Sequence, residues 1–199
     1  DLTIRYQVST QSLIGADSTA HFWIPNEPVN ADWQQVDFNA IGWQQGLNGM
    51  GYDTFGTFDP DIQTNLQAQL QGRHSSLYIR YPFHLQPNQA TSIEKLTLTL
   101  IADDGYVAYL NGREITRQNA PLTQINANST AVQAADEDSF VKPPTIKLTE
   151  YTNLLQAGSN VLSVHGLNQR ATSTDFLIKA TLTATFPLSD SPPSTKTFQ

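Results

Sequence analysis

The sequence predicts an all-β fold, an antiparallel sandwich of jelly-roll type with one short helix and long loops. Several segments alternate apolar and polar residues with a period of two, which is typical of strands that bury one face. Their connections are long and rich in turn residues, without the regular strand–helix rhythm of a parallel sheet. An Asn-Gly pair at 111–112 separates two further strand-like segments, which is a strong hairpin signal.

The first half of the chain contains two strand-like segments, at residues 3–8 and 20–24. Residues 25–72 are rich in Gly, Asn, Gln and Asp, so we predict long ordered loops there with one or two short strands. Residues 77–85 alternate clearly, with Pro82 on the polar face. Because proline cannot donate to a strand ladder, Pro82 predicts a sheet edge or a bulge.

The second half is also dominated by strand patterns, at residues 95–100, 160–167 and 175–186. In the second of these, Ser163 and His165 lie on the face opposite the apolar residues. Residues 149–156 predict the short helix, which Thr149 caps and Gly158 ends. Residues 118–144 predict a second long loop.

The predicted hairpin joins residues 106–110 to residues 113–116 through Asn111-Gly112. Asp103-Asp104-Gly105 predicts a turn just before it, where aspartate side chains accept hydrogen bonds from nearby backbone amides. Paired carboxylates also perform acid–base chemistry, but neighbouring residues on a strand point to opposite faces. We therefore predict a structural turn, with contact to calcium or a ligand as the alternative and catalysis as the least favoured interpretation.

Composition excludes several classes of function. The net charge is −7, and the 11 Lys and Arg residues form no basic run, so we expect no nucleic-acid partner. No run of about 18 apolar residues occurs, so we expect no membrane insertion. The chain has no cysteine, which excludes disulfides and thiolate catalysis, and its sparse charge is typical of an extracellular protein.

The domain organisation follows from a change in composition near the end. Residues 1–187 predict one jelly-roll module, and residues 188–199 are rich in Pro, Ser and Thr, as in a linker or tail. We therefore expect this chain to be one module of a longer exported protein.

Four segments resemble a galactose-binding-domain-like β-sandwich module that accompanies lamin-tail-like and spore-coat-kinase-like surface proteins of bacteria. They are Trp43 to Gly46 with Gly49 to Asp53, Ser75 to Arg80 with Phe83, Asp103 to Gly112 with Arg117 to Pro121, and Gly158 to Leu162 with Gly166 to Asn168 and Ser173 to Ile178. The resemblance spans roughly residues 30–185, in the expected order.

The resemblance implies the fold, and it implies a carbohydrate-binding-module-like function. One fold hosts many functions, however, and this family brings no agreed binding residues. We therefore predict a non-catalytic accessory module that is secreted or displayed at the cell surface and binds a polysaccharide or glycan, with any catalytic domain elsewhere. The alternative is a structural module that packs against neighbouring domains of the same chain and binds no sugar.

The candidate carbohydrate-binding residues are Trp33 and Tyr52, from the loop-rich region, and Asn168, Arg170 and Asp175, from one polar loop. Aromatic rings stack on sugar rings, while amide, guanidinium and carboxylate groups bond the hydroxyls. The alternative for Asp175 is that it closes its own loop onto the backbone together with Ser173. Trp43 is predicted to anchor the core.

A structural calcium is a further possibility, because jelly-roll sugar-binding modules often carry one. Asp53, Asp59 and Asp61 are the candidate ligands, since calcium prefers several oxygen ligands. Residues 136–138 form an alternative acidic cluster. None of the four histidines forms a close pair for zinc, and His165 is predicted to line a groove or to pack beneath a loop.

Overall fold

A computed structural model describes residues 8–135, 140 and 143–188. Its strands are β1 Val8–Ile14, β2 Thr19–Trp23, β3 Gln44–Leu47, β4 Met50–Asp53, β5 Thr64–Asn65, β6 Ser76–Leu85, β7 Lys95–Asp103, β8 Gly105–Leu110, β9 Arg113–Gln118, β10 Thr145–Lys147, β11 Gly158–Leu167 and β12 Asp175–Pro187. They form two six-stranded sheets, so the predicted all-β sandwich is confirmed.

The two sheets face each other across one apolar core. The first sheet has the order β10–β7–β12–β4–β5, with β1 added on β12, and the second has the order β3–β2–β6–β11–β8–β9. All pairings are antiparallel except the short β4–β5 contact. Alternate residues of each strand fill the core, as with Leu162 and Val164 of β11 against Phe176 and Ile178 of β12. Burial of each such side chain contributes roughly 1.5–3 kcal/mol.

The helical segments are short, and one of them corrects a prediction. Helices α1 and α2 span Gln67–Leu70 and Pro87–Ser92, and 3-10 turns span Asp59–Asp61 and Thr149–Leu154. The predicted helix at 149–156 is therefore a 3-10 turn. Thr149 does not cap it, because its hydroxyl accepts the Leu96 N–H at 3.4 Å instead. Gly158 begins β11 rather than ending the helix.

The remaining loop predictions hold in outline. Residues 25–72 contain three short strands rather than one or two, and residues 119–135 form no strand or helix. Of the predicted strand at 3–8, only Val8 lies within the described residues. The acidic cluster at 136–138 and the linker after Leu188 also lie outside them. Among the described residues, every helix is too short or too polar to span a lipid bilayer.

Strand β12 has one edge that two different strands share. β7 pairs along one edge, whereas β4 pairs with residues 175–178 and β1 with residues 182–187 on the other. The side chain of Asn48 bridges the gap: Ala180 N donates to its Oδ1 at 3.1 Å, and its Nδ2 donates to the Ala180 carbonyl at 2.6 Å. A single amide thus continues the ladder between β4 and β1.

Pro82 lies where the sheet has an edge, as its position in the alternation predicts. β2 pairs with β6 only at Tyr78, Ile79 and Arg80, so β6 has β11 as its sole ladder partner at Pro82 in the described residues. The missing N–H of proline is therefore tolerated there.

The predicted hairpin is confirmed as β8 and β9, joined by Asn111 and Gly112 at φ 48° and 90°. Both residues occupy the left-handed region that a type I′ turn requires. The Asn111 side chain docks the turn onto β11, because its Oδ1 accepts the Val161 N–H at 2.8 Å. The turn also meets the loop that follows β2, because Gly112 faces the side-chain amide of Gln35.

Gly112→Ala is expected to lower the free energy of unfolding by about 1–2 kcal/mol. A Cβ at this position is strained by the positive φ and collides with the Gln35 amide. Urea unfolding followed by tryptophan fluorescence measures the loss. Gly72→Ala is the matched control, because Gly72 has φ 73° and open space around it; an equal loss in both variants would show that the Gln35 contact contributes nothing.

The acidic turn does more than reverse the chain. β7 ends at Asp103 in the first sheet and β8 begins at Gly105 in the second, so the turn joins the two sheets. The prediction that its side chains accept nearby backbone amides is wrong, because the amides that Asp104 accepts belong to distant loops. Asp104 accepts the N–H groups of Ala135 at 2.9 Å and Gln169 at 2.7 Å.

Candidate functional site

The outer face of the second sheet carries a row of aromatic and polar side chains. Tyr78 on β6, His165 on β11 and Tyr109 on β8 each alternate with core residues, and therefore point away from the core. Tyr78 and His165 are directly opposed in the ladder, and their rings stack at 3.9 Å between centroids. The row consequently crosses three neighbouring strands.

The segment that follows β2 covers this row, and Trp33 is its anchor. The indole is 7% exposed and packs edge to face on Tyr78 and Tyr109, with centroids 4.9 and 5.6 Å apart. The backbone carbonyl of Trp33 accepts a hydrogen bond from the Arg80 guanidinium. These contacts fix the segment over the sheet.

Trp43 lies in the same layer, which corrects its predicted place in the core. It is half-buried and stacks between Trp23 and Trp33, with centroids 6.3 and 6.4 Å apart. Phe38 meets it edge on. The tryptophans thus form a second apolar layer, outside the sheet rather than inside the sandwich.

An open groove of about 640 Å³ runs beside Trp33. Its floor is Trp33, Tyr78, Tyr109 and His165, and its walls are residues 25–34, residues 124–128 and β9. We call this feature the aromatic groove. Its lining residues are Pro25, Asn26, Glu27, Pro28, Val29, Ala31, Trp33, Gln34, Tyr78, Tyr109, Glu114, Arg117, Gln124, Ile125, Asn126, Ala127, Asn128 and His165.

Two polar atoms are buried in the groove lining without a hydrogen-bond partner in the structure, His165 Nε2 and Gln34 Oε1. Burial lowers the pKa of His165 to about 3, so its imidazole is neutral near neutral pH. An unsatisfied buried polar atom typically costs about 1–3 kcal/mol. Both atoms lie beneath the surface of the groove, so they are unused hydrogen-bonding capacity in its lining rather than open contact points.

Glu114 and Arg117 on β9 form the charged wall of the groove. The guanidinium donates to both carboxylate oxygens of Glu114, each at 2.6 Å, and also to the Pro121 carbonyl. Each charge is neutralised by the other. On the floor, burial first and then Tyr109 raise the pKa of Tyr78 to about 12, which keeps its hydroxyl protonated.

Of the five predicted carbohydrate-binding residues, the structure places only Trp33 in the aromatic groove. Tyr52 is a core residue, 1% exposed, and its hydroxyl donates to the Ser173 carbonyl at 3.2 Å. Its position in a loop-rich stretch of sequence did not reveal this burial, because β4 pairs with β12 more than 100 residues further along the chain.

The other three predicted residues lie on one loop at the end of the sandwich, and two of them bond within it. Asn168 is buried, and its Nδ2 donates to the Asp175 carbonyl at 2.7 Å. The Asp175 carboxylate accepts the Ser173 hydroxyl at 3.0 Å, as in the loop-closing alternative. Arg170 is exposed. A binding role for this loop stays a prediction.

Three carboxylates gather beneath that loop. Asp103 and Asp104 are 6% and 7% exposed, and both act electrostatically on Tyr52, as does Asp175. Burial, then Asp104 and Asp175, raise the pKa of Asp103 to about 8. Asp103 Oδ2 has no donor partner among the residues that the structure describes, and protonation lets it donate to a neighbouring carboxylate instead. The protonated acid is thus the stable form at neutral pH.

Two of the three predicted calcium ligands, Asp53 and Asp61, already have protein partners. Asp53 accepts the N–H groups of Phe55 at 2.8 Å and Phe58 at 2.7 Å, and Asp61 accepts Lys179 Nζ at 2.7 Å. No group of three acidic or histidine side chains is arranged to hold a metal within the residues that the structure describes. These contacts use oxygens that calcium would need, and calcium binding stays a prediction.

The groove residues that the sequence analysis did not select are Tyr78, Tyr109, Gln34, Glu114 and Arg117, while His165 was noted as a groove or packing residue. The sequence pattern could have indicated three of the groove residues. Tyr78, Tyr109 and His165 are outward-facing positions on strands whose other face is apolar. What the alternation could not show is that these strands are neighbours in one sheet.

Comparison with known proteins places the fold but not a family. No protein-family model and no curated protein matches the chain. Among solved structures it is similar to a Bacteroides uniformis beta-glucuronidase, with 16% identity and a TM-score of 0.53, covering 89% of this chain and 18% of that one. A calcium-binding mutant of Bacteroides uniformis beta-glucuronidase 2 gives 18% identity and a TM-score of 0.51, with the same two coverages.

At these identities the likeness establishes a shared β-sandwich fold and nothing finer. The chain spans 18% of the length of the two solved chains it matches, so it corresponds to one part of each.

Proposed function

We propose that this chain is a non-catalytic accessory module of an exported multidomain protein and that it binds a glycan in the aromatic groove. The observation that carries the proposal is the floor of the groove, where aromatic rings surround a buried and unpartnered His165 Nε2. Sites for small ligands combine apolar and aromatic walls with a few placed polar groups in this way.

The groups in the groove match the two surfaces of a sugar. Tyr109 is half-buried and offers part of its ring to the apolar C–H face of a pyranose. The exposed amides of Asn126 and Asn128 are available to hydroxyl groups, whereas His165 Nε2 and Gln34 Oε1 become available when the side chains that cover them move. Glu114 and Arg117 neutralise each other and Glu27 adds a negative charge at the wall, so the groove favours an uncharged sugar unit over an acidic one.

The fold likeness supports an accessory role. The similar structures are named as beta-glucuronidases, and this chain corresponds to less than a fifth of each, which is consistent with a part that does not itself carry the catalytic machinery. Asp103 and Asp104 are both buried, and Asp104 is bonded to two loop amides, so the acid pair is not presented to a substrate. The galactose-binding-like subtype and an extracellular location belong to the same proposal.

A glycan array of plant, algal and bacterial polysaccharides, read with and without calcium, tests the proposal directly. We expect the protein to bind at least one neutral polysaccharide on the array. No binding on any surface under either condition would contradict glycan binding and favour the alternative, a structural module that packs against neighbouring domains.

Tyr109→Ala is expected to weaken binding of the best array ligand at least tenfold, which corresponds to about 1.4 kcal/mol, because the ring face is lost from the floor. Isothermal titration calorimetry measures the dissociation constant. Phe55→Ala is the matched control, since Phe55 is 79% exposed and lies outside the groove.

The variant Arg170→Ala distinguishes glycan binding in the groove from glycan binding at the polar loop of residues 168–175. Unchanged affinity in this variant, together with the loss in Tyr109→Ala, assigns the ligand to the groove. The reverse result in folded variants would contradict the groove and move the site to the loop.

A further inference from the structure

We propose that Arg80 and His21 form a second binding site on the outer face of the second sheet, and that this site takes the carboxylate group of a ligand. It lies outside the aromatic groove, and the proposal does not depend on glycan binding there.

The site is an open pocket of about 430 Å³. We call it the Arg80 pocket, and its lining residues are His21, Val36, Phe38, Asn39, Ala40, Ile41, Arg80, Pro82, Ser159, Asn160 and Val161. The segment that carries Trp33 separates it from the groove, since residues up to Gln34 line the groove and residues from Val36 line the pocket. None of the residues that line the pocket also lines the groove.

Arg80 is a buried cation without an anion in direct contact. Arg80 is only 5% exposed. Burial lowers the pKa of its guanidinium to about 10, whereas the charge of Asp37 acts to raise that pKa. Neither of the two ion pairs that form among the described residues includes it. Taking a charge out of water is unfavourable unless it is paired and hydrogen-bonded.

The protein contacts of Arg80 leave part of its guanidinium free. One nitrogen donates to the Trp33 carbonyl, and the group lies over the Phe38 ring with Cζ 5.0 Å from the centroid. A guanidinium has further N–H donors in a planar fork. Arg80 lines the pocket but is almost fully buried, so those donors belong to its inner end, where a ligand carboxylate would meet them.

The cross-strand neighbours of Arg80 supply more unused hydrogen-bonding groups. His21 on β2 and Ser163 on β11 are both opposite Arg80 in the ladder. His21 Nδ1 and Ser163 Oγ are buried without a partner in the structure. Two unsatisfied polar groups therefore flank an unpaired cation on three adjacent strands.

The chemistry of the pocket favours a carboxylate over other ligands. A guanidinium fork matches the two oxygens of a carboxylate in size and geometry. Phe38, Ile41 and Pro82 give an apolar wall against which the body of the ligand can pack. Ile41 is 83% exposed, which leaves that wall open to a ring. The carboxylate could come from an acidic sugar unit or from a free aromatic acid.

Titration of the wild-type protein with matched acids and esters tests the site without any mutation. The probes are galacturonate and benzoate, each compared with its own methyl ester, and the readout is amide chemical-shift change in two-dimensional NMR. We expect the acids to shift the amides of residues 36–41 and of Arg80 and Tyr81, and the esters to shift them at least tenfold less at equal concentration.

The two acids also distinguish the sources of the carboxylate. Tighter binding of galacturonate assigns the pocket to an acidic glycan unit, and tighter binding of benzoate assigns it to an aromatic acid. Equal effects of acid and ester, shifts that map elsewhere, or no saturable shift would each overturn the proposal.

Variants then assign the interaction to Arg80. Arg80→Lys keeps the charge but loses the fork, and is expected to weaken acid binding at least tenfold; unchanged affinity would overturn the role of Arg80. Arg73→Met, which removes an exposed cation elsewhere, is the control and should bind like the wild type. Tyr109→Ala should also bind the acids normally, which separates this site from the proposed glycan groove.

Discussion

Asp103→Asn is expected to stabilise the protein relative to the wild type, and by on the order of 3 kcal/mol more at about pH 8.5 than at about pH 5. Such a change raises the melting temperature of a chain of this size by roughly 5–10 °C. The cause is the carboxylate cluster, where burial first, and then Asp104 and Asp175, raise the pKa of Asp103 to about 8.

The direction of the effect follows from proton binding. In the unfolded chain Asp103 has its ordinary pKa of 3.8, so the folded state binds more protons between that value and about pH 8. Its contribution to stability is therefore complete below about pH 4 and declines as the pH rises through about 8. Asparagine resembles the protonated acid but does not titrate, so the decline disappears.

Thermal unfolding of both proteins from about pH 5 to pH 9 measures the difference, and the pH effects of groups that do not interact with Asp103 cancel. Asp104→Asn is the matched control, because Asp104 accepts two backbone N–H groups and the variant should be less stable than the wild type throughout. A constant difference between wild type and Asp103→Asn across the pH range would contradict the protonated state of Asp103.

Asn48→Ala is expected to cost on the order of 3–5 kcal/mol, one of the largest losses available from a polar substitution in this chain. Asn48 is fully buried and bonds at both ends of its amide. Its Nδ2 donates to the carbonyls of Gly15 and Ala180, and its Oδ1 accepts the N–H groups of Gly49 and Ala180. Alanine leaves all four of these backbone groups without that partner.

Asn48→Asp is a more specific test, because the aspartate side chain has nearly the same shape as asparagine. The carboxylate can still accept the two N–H groups but cannot donate to the two carbonyls, so we expect a loss of similar size. Asn65→Ala is the control, since Asn65 is exposed and accepts only the Gln67 N–H. Urea denaturation should show less than about 1 kcal/mol for this control; a comparable loss would argue against the bridging role of Asn48.

Much of the fold could be predicted because the determinants are local. Alternation along residues 175–186 and 160–167 identifies strands directly, since the side-chain period of a strand is two. The turn at Asn111-Gly112 is equally local, because positive φ at two successive residues selects those residue types. The 3-10 turn at Thr149–Leu154 was misassigned because six residues carry too little helical period to define a helix type.

The candidate site could be predicted only in part, because sheet order brings it together. Tyr78, Tyr109 and His165 come from strands separated by about 30 to 90 residues in the sequence, and their register is set by pairings that no local pattern specifies. Trp33 was selected for its residue type and its loop. Tyr52 was selected on the same grounds, and its burial against β12 could not be seen from neighbouring residues.

The position of β1 has a mechanical consequence. Val8 pairs with Pro187 and Ser9 with Phe186, so the two chain segments leave the sheet side by side at the same end of an antiparallel ladder. Tension applied through these two points loads the hydrogen bonds of β1 and β12 one pair at a time, as in opening a zipper, rather than all together in shear. Stretching from these points is therefore expected to detach β1 from β12 first. The hydrogen bonds of Asn48, between β1 and β4, are the next contacts to bear the load.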